Sequence, residues 1–164
     1  MSDWNKYKAH FSYTMEHKWY VFIECCKFGI PWRGLVHDLS KFTRKEFIPY
    51  ALFFFDEDGK KRDTTSHYTT SNDDDFKLAW FWHQARNKHH WQFWITPNEA
   101  GQLVPMEIPH KYVWEMCADM IGASKAKRTG TALEWYSKNR LGMTLHPETR
   151  KLLEQILGYN RDTI

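Results

Sequence analysis

Apolar side chains recur at helical spacing along most of the chain. Between residues 3 and 28, Trp4, Tyr7, Phe11, Met15, Trp19, Phe22 and Ile23 follow a three-to-four-residue rhythm that predicts one long helix. Gly29-Ile30-Pro31 ends it, and Pro31 suits the first turn of a second helix over roughly 32–39. Thr43-Arg44-Lys45-Glu46 has the form of a capping box and predicts a third helix to about residue 54, through Pro49. A fourth, opened by Asp74 or Asp75, is expected to reach about residue 94. Its broad inward face would carry Phe76, Ala79, Trp80, His83, Asn87, His90, Trp91 and Trp94. Three more helices are predicted near 109–123, 131–140 and from His146-Pro147 to Gly158, the last with Leu152, Leu153, Ile156 and Leu157 as its stripe.

No internal repeat and no β-hairpin stands out. The expected class is therefore all-α, a compact helical bundle of six to seven helices forming a single domain over residues 1–164. Residues 56–74 break the pattern with a polar, charged run, read as a surface loop or insertion, with a lid as the sharper option.

Composition changes this picture in a few places. A chain of 164 residues can bury a real core, and nine Trp, eight Tyr and eleven Phe supply large apolar areas that also wall off water. The net charge of +3 is spread among interleaved acids and bases, which argues against a nucleic-acid partner. The three cysteines are odd in number, and Cys25 and Cys26 are neighbours. The polar N-terminus lacks a signal-peptide core, and no apolar run reaches membrane-spanning length. A reduced, cytoplasmic protein without a membrane partner is expected.

The chemistry centres on His37-Asp38, in Leu35-Val36-His37-Asp38-Leu39-Ser40-Lys41-Phe42. An imidazole and a carboxylate on one helical turn can bind a divalent metal together if other ligands converge on them. Lys41 adds a cation where a phosphate oxygen would sit. Upstream, the Gly-Pro break folds the first helix back on the second and offers His17, with His10 on nearly the same face as the alternative.

Downstream, His83, Asn87 and His90 fall at i, i+4 and i+7 on the inward face of the expected fourth helix, where nitrogen donors need partners. Two positions seven apart stand about 10 Å from each other along a helix, so His83 and His90 would split between a second metal and the substrate. His89 points elsewhere on that helix and reads as exposed or supporting. Asp119 stands among Met116, Cys117, Ala118 and Met120, where a carboxylate is costly unless paired or metal-bound. Lys111 or Arg128 would be the ordinary ion-pair partner. As the last member of an ordered set, Asp119 reads as a ligand.

That ordered set, His17, His37-Asp38, His83, His89-His90 and Asp119, resembles the HD-domain superfamily of metal-dependent phosphohydrolases. His37-Asp38-Leu39-Ser40-Lys41 is similar to its His-Asp-x-Gly-Lys stretch, with Ser40 in place of Gly. The resemblance implies an HD-like helical fold with a first metal on His17, His37, Asp38 and Asp119. Some members of the superfamily hold a second metal on additional histidines, a role open here to His83 and His90. It also implies a phosphate contact for Lys41, with His83, Asn87 or His90 orienting the substrate or donating a proton.

Mixed nitrogen and oxygen donors suit Mn, Fe, Co, Ni or Zn, as one or two ions. The expected partner is a small phosphorylated substrate, a nucleotide among the options. His37–Phe42, Asn87–Trp91 and Pro147–Arg150 also resemble an uncharacterised family of bacteria and bacteriophages, which would place a phage-encoded chain in the host cytoplasm. Two other readings stay open. One is an HD-fold di-iron oxygenase. The other is a non-enzymatic helical binding protein with a structural metal, in which the Trp-rich helices form a core and a homo-oligomer interface. A cysteine nucleophile is disfavoured, because Cys25 and Cys26 fall on a packed helix.

Overall fold

A computed structural model describes residues 3–62, 74–128 and 130–160. Among the described residues there are seven α-helices and one two-stranded antiparallel sheet, the all-α class. The helices are α1 (Trp4–Lys27), α2 (Pro31–Val36), α3 (Arg44–Phe54), α4 (Asp74–Arg86), α5 (His110–Lys127), α6 (Ala132–Asn139) and α7 (Pro147–Leu157). The strands are β1 (Ile95–Pro97) and β2 (Leu103–Pro105). No helix among the described residues is long and apolar enough to cross a membrane. The chain divides into two compact units, Met1–Glu16 with Asp38–Arg86, and His17–His37 with Asn87–Ile164.

In the first unit α3 packs on α4. Tyr50, Phe76 and Ala79 are buried there, and Phe53 stacks on Phe76 with ring centroids 3.8 Å apart. The helix runs through Pro49 to Phe54, as the apolar pattern predicts. Its start differs from the motif reading. The Thr43 hydroxyl donates to the Ser40 carbonyl and makes no cap, and Glu46 is fully buried, so the supposed capping box is not one. The polar run opens with a tight turn in which Asp56 Oδ1 accepts from the Asp58 and Lys60 amides, and Gly59 adopts a φ of +76°. The rest of that run, residues 63–73, and with it the lid reading, lies outside the described residues.

The second unit begins with the C-terminal half of α1, which turns back through Gly29 at φ +72° into α2. That hairpin is tight. A Cβ at Gly34 would sit 2.8 Å from both Phe22 Cα and Cys25 Cβ. Gly122 of α5 allows an equally close approach, since a Cβ there would lie 2.6 Å from Val21 Cγ2. A larger apolar cluster joins Val113, Met116 and Cys117 of α5 to Tyr136 of α6 and Leu153 of α7.

Local chemistry sets the ends of the later helices. Thr131 and Glu134 form a reciprocal capping box at α6. His146 Nδ1 accepts from the Glu148 amide at the start of α7, and Gly158 closes that helix in the left-handed region.

Three boundaries depart from the apolar pattern. Helix α2 stops at Val36, so His37 and Asp38 do not share a helical turn. His37 is extended, and Asp38 adopts φ +53° just before the 3-10 turn Leu39–Phe42. Helix α4 stops at Arg86 rather than near residue 94, and a 3-10 turn over Trp91–Trp94 follows. A small hairpin is also present, with Thr96 opposite Val104. Asn98 Oδ1 holds its turn by accepting from the Ala100 and Gln102 amides.

Candidate metal centre

The hairpin of α1 and α2 brings His17 and His37 together within the second unit, with ring centroids 5.6 Å apart. Lys18 Nζ donates to the carbonyls of Leu35 and His37, which satisfies the end of α2 and fixes the His37 backbone. Helix α5 presents Glu115 and Asp119 one turn apart, on the same face. The turn after α4 supplies His89, whose ring lies 4.4 Å from that of His37. His17, His37, His89 and Glu115 are all buried, whereas the Asp119 side chain keeps 23% exposure.

The nitrogens of these rings are sorted. His37 Nδ1 lies 3.2 Å from Glu115 Oε1, and His89 Nδ1 lies 3.3 Å from the same oxygen. The opposite nitrogens all face Asp119. His17 Nε2 is 3.1 Å and His37 Nε2 3.5 Å from its Oδ1, and His89 Nε2 is 3.9 Å from its Oδ2.

Burial pushes both carboxyls up, but the histidines outweigh it. Contacts with His37 and His89 hold Glu115 well below the usual carboxylate range, and contacts with His17 and His37 do the same for Asp119. Arg33 Nε pairs with the other oxygen of Glu115, and its guanidinium lies 4.4 Å above the Tyr112 ring.

This donor set can hold a metal ion. His17, His37 and Asp119 form one group of converging ligand atoms, and His37, His89 and Glu115 form another. Two ligands on neighbouring vertices of one ion at about 2.1 Å stand about 3.0 Å apart in an octahedron and about 3.4 Å in a tetrahedron. The approaches of His17 and His37 to Asp119 match those edges, whereas His89 stands outside that group, with its Nε2 3.9 Å from Asp119 Oδ2.

A second arrangement of the same kind lies in the first unit. His83 Nδ1 is 2.9 Å from Glu46 Oε2, and His83 Nε2 is 3.4 Å from Asp38 Oδ1. Ser40 Oγ donates to Glu46 Oε2 at 2.9 Å, and Arg86 lies 3.6 Å from the other oxygen. Lys41 Nζ, the residue singled out for phosphate, pairs with Asp38 Oδ2 at 2.6 Å.

Of the residues read from the sequence, His17, His37 and Asp119 thus meet in the second unit, and Asp38, Lys41 and His83 meet in the first. His10 falls in the first unit. Its buried ring sits among Phe47, Tyr50 and Phe55, and neither nitrogen has a hydrogen-bond partner. Burial first, and the Lys41 charge second, lower its pKa to about 4.

Because α4 ends at Arg86, the i, i+4, i+7 face of His83, Asn87 and His90 does not exist. His89, expected to be exposed or supporting, is the fully inward member. His90 is half-buried beside it, with ring centroids 4.3 Å apart. Asp119 faces histidines rather than Lys111 or Arg128.

Glu115 and Glu46 were missed by sequence reasoning. For Glu115 a signal existed, as it precedes Asp119 by one helical turn on an otherwise apolar helix. Cys25 and Cys117 are buried, and burial pushes both thiols up to about 12, so neither is a nucleophile.

A family model described as a family of unknown function (DUF5662) matches residues 6–159. No curated protein and no solved structure matches the chain.

Proposed function

Since the chain belongs to that family of unknown function, we propose its activity from its own donor atoms: a metal-dependent hydrolase acting on a phosphate ester. One observation carries the reading. Three histidine Nε2 atoms from three separate segments face a single carboxylate, and that carboxylate is the member of the group that reaches solvent. Buried imidazoles in this number are expensive to collect unless they do something together.

Three nitrogens and one oxygen favour Zn, Fe, Co, Ni or Mn over Mg or Ca. Such an ion supplies Lewis acidity, making water nucleophilic near neutral pH and polarising a phosphoryl oxygen. His17 and His37 would bind it through Nε2, and His89 would join them by moving toward Asp119. Asp119 would complete the set and leave its exposed edge to the substrate. Arg33, 27% exposed and paired with Glu115, adds positive charge of the kind a phosphate requires. Asp38 and His83 offer a second pair of donors of the same chemistry within the first unit.

Elemental analysis of protein prepared in metal-replete medium, followed by a phosphatase and phosphodiesterase screen with the metal found, tests this. The expected result is a bound transition metal and phosphate release that fails in Asp119→Asn. Absence of a transition metal overturns the reading. Oxygen uptake without phosphate release would replace it with an oxygenase, and metal without turnover would leave a binding protein.

A further inference from the structure

Each unit repeats one device: an arginine, a fully buried glutamate, a histidine Nδ1, and that histidine's Nε2 turned toward an aspartate. The series is Arg33, Glu115, His37, Asp119 in the second unit and Arg86, Glu46, His83, Asp38 in the first. In the second unit the glutamate serves His89 as well. We infer that Glu115 is a positioning residue that fixes the tautomer of His37 and His89 together, placing both protons on Nδ1 and both lone pairs on Nε2.

Glu115 Oε2 is taken by the Arg33 guanidinium, whose plane is held over the Tyr112 ring. A carboxylate paired with arginine offers only acceptors, so the two Nδ1 atoms 3.2 and 3.3 Å from Oε1 must donate. A neutral imidazole has one proton, and its Nε2 is then the basic nitrogen. The geometry matters to a metal because a ligating imidazole is oriented by what its other nitrogen bonds. One glutamate thereby prepares two ligands. In this respect the inference rests on the metal reading, but the tautomer itself does not.

Glu115→Gln changes the outcome through Arg33. Arg33 still needs an acceptor, so the amide oxygen turns to it and the amide NH2 turns to the histidines. An NH2 can only donate, which moves the imidazole protons from Nδ1 to Nε2. The ligand nitrogens are then protonated, although the side chain has barely changed shape.

The experiment is long-range 1H–15N correlation NMR on the metal-free protein, at a pH raised until both imidazoles are neutral, beside Zn²⁺ titration by calorimetry. In the wild type, His37 and His89 are expected as Nδ1–H tautomers. In Glu115→Gln they are expected as Nε2–H, with Zn²⁺ affinity about 10- to 100-fold lower and helical circular dichroism retained. Adding Arg33→Met frees the amide to rotate, and recovery of the Nδ1–H tautomer in the double variant separates positioning from packing.

A wild-type His37 or His89 whose neutral form is Nε2–H overturns the inference without any variant, so a failure of Glu115→Gln to fold does not shield it. Unchanged Zn²⁺ affinity in a folded Glu115→Gln overturns it as well. Wild-type protein with both Nδ1–H tautomers and no affinity for Zn²⁺ would support the Glu115 assignment and overturn the metal reading.

Discussion

His17 Nε2 lies 3.1 Å from Asp119 Oδ1, joining the middle of α1 to the middle of α5 across most of the sequence. The carboxylate is the one negative group toward which all three imidazoles turn their Nε2 atoms. Replacing it by Asn keeps the shape and removes the charge. Because losing a group that merely orients a ligand weakens metal binding 10- to 100-fold, losing this oxygen is expected to cost at least about 100-fold. The same change should erase the thermal shift produced by metal. At a metal concentration near 100 times Kd that shift corresponds to about 2.7 kcal/mol, or roughly 5–10 °C for a chain of this size. Melting curves with and without chelator, in both proteins, measure it. An equal chelator effect in Asp119→Asn would exclude Asp119 as a ligand.

His10, in the first unit, titrates in the opposite sense to a paired histidine. Its folded pKa of about 4 lies below the ordinary value of 6.5, because burial among aromatic rings, and then the Lys41 ammonium, disfavour the cation. The unfolded chain therefore binds the proton first. The stability associated with a neutral His10 is intact above about pH 6.5 and is lost as pH falls to about 4, by about 3 kcal/mol in total. Urea midpoints at several pH values should show this slope in the wild type and a reduced one in His10→Leu. Parallel slopes would rule out His10 as its source.

Gly122 sets the distance between α5 and the C-terminal half of α1. A Cβ there would meet Val21 Cγ2 at 2.6 Å and the Val21 backbone nitrogen at 2.9 Å, and backbone cannot step aside as a side-chain tip can. Alanine gains about 1 kcal/mol of helix propensity over glycine, while overpacking typically costs about 1–3 kcal/mol. Gly122→Ala should therefore be destabilised by up to about 2 kcal/mol in chemical denaturation. It should also weaken metal binding, because His17 and Asp119 ride on the two elements being forced apart. A stabilising result would mean that the helices separate without strain.

Much of the fold was legible because apolar spacing reports directly on helices long enough to bury a face. Helices α1, α3, α5 and α7 all begin and end within a few residues of where that spacing places them, apart from a longer C-terminal end to α5. The pattern failed where side chains are buried for another reason. Trp91 and Trp94 extend the helical rhythm past Arg86, yet both pack from a 3-10 turn, and that single misplaced boundary put His90 inward in place of His89. Thr43 and Glu46 have the right letters for a cap, but Glu46 is drawn into the interior by His83 and Ser40.

Three of the ligands read from the sequence, His17, His37 and Asp119, do converge. The residue that orients two of the imidazoles left a signal too weak to single it out, because a glutamate one turn before an aspartate looks like any acidic stripe until its depth is known.

The reversal at Gly29 has a kinetic consequence. His17 and His37 are joined by a short helical hairpin, so they can meet through local contacts whose loop-closure cost is small. Glu115 and Asp119 arrive only when the distant helix α5 docks, a pairing of high sequence separation that forms slowly. A folding chain would therefore display two histidines well before it possesses the carboxylates that complete the set. Metal captured by the incomplete chain would be held loosely, and tight binding would coincide with the last long-range step of folding.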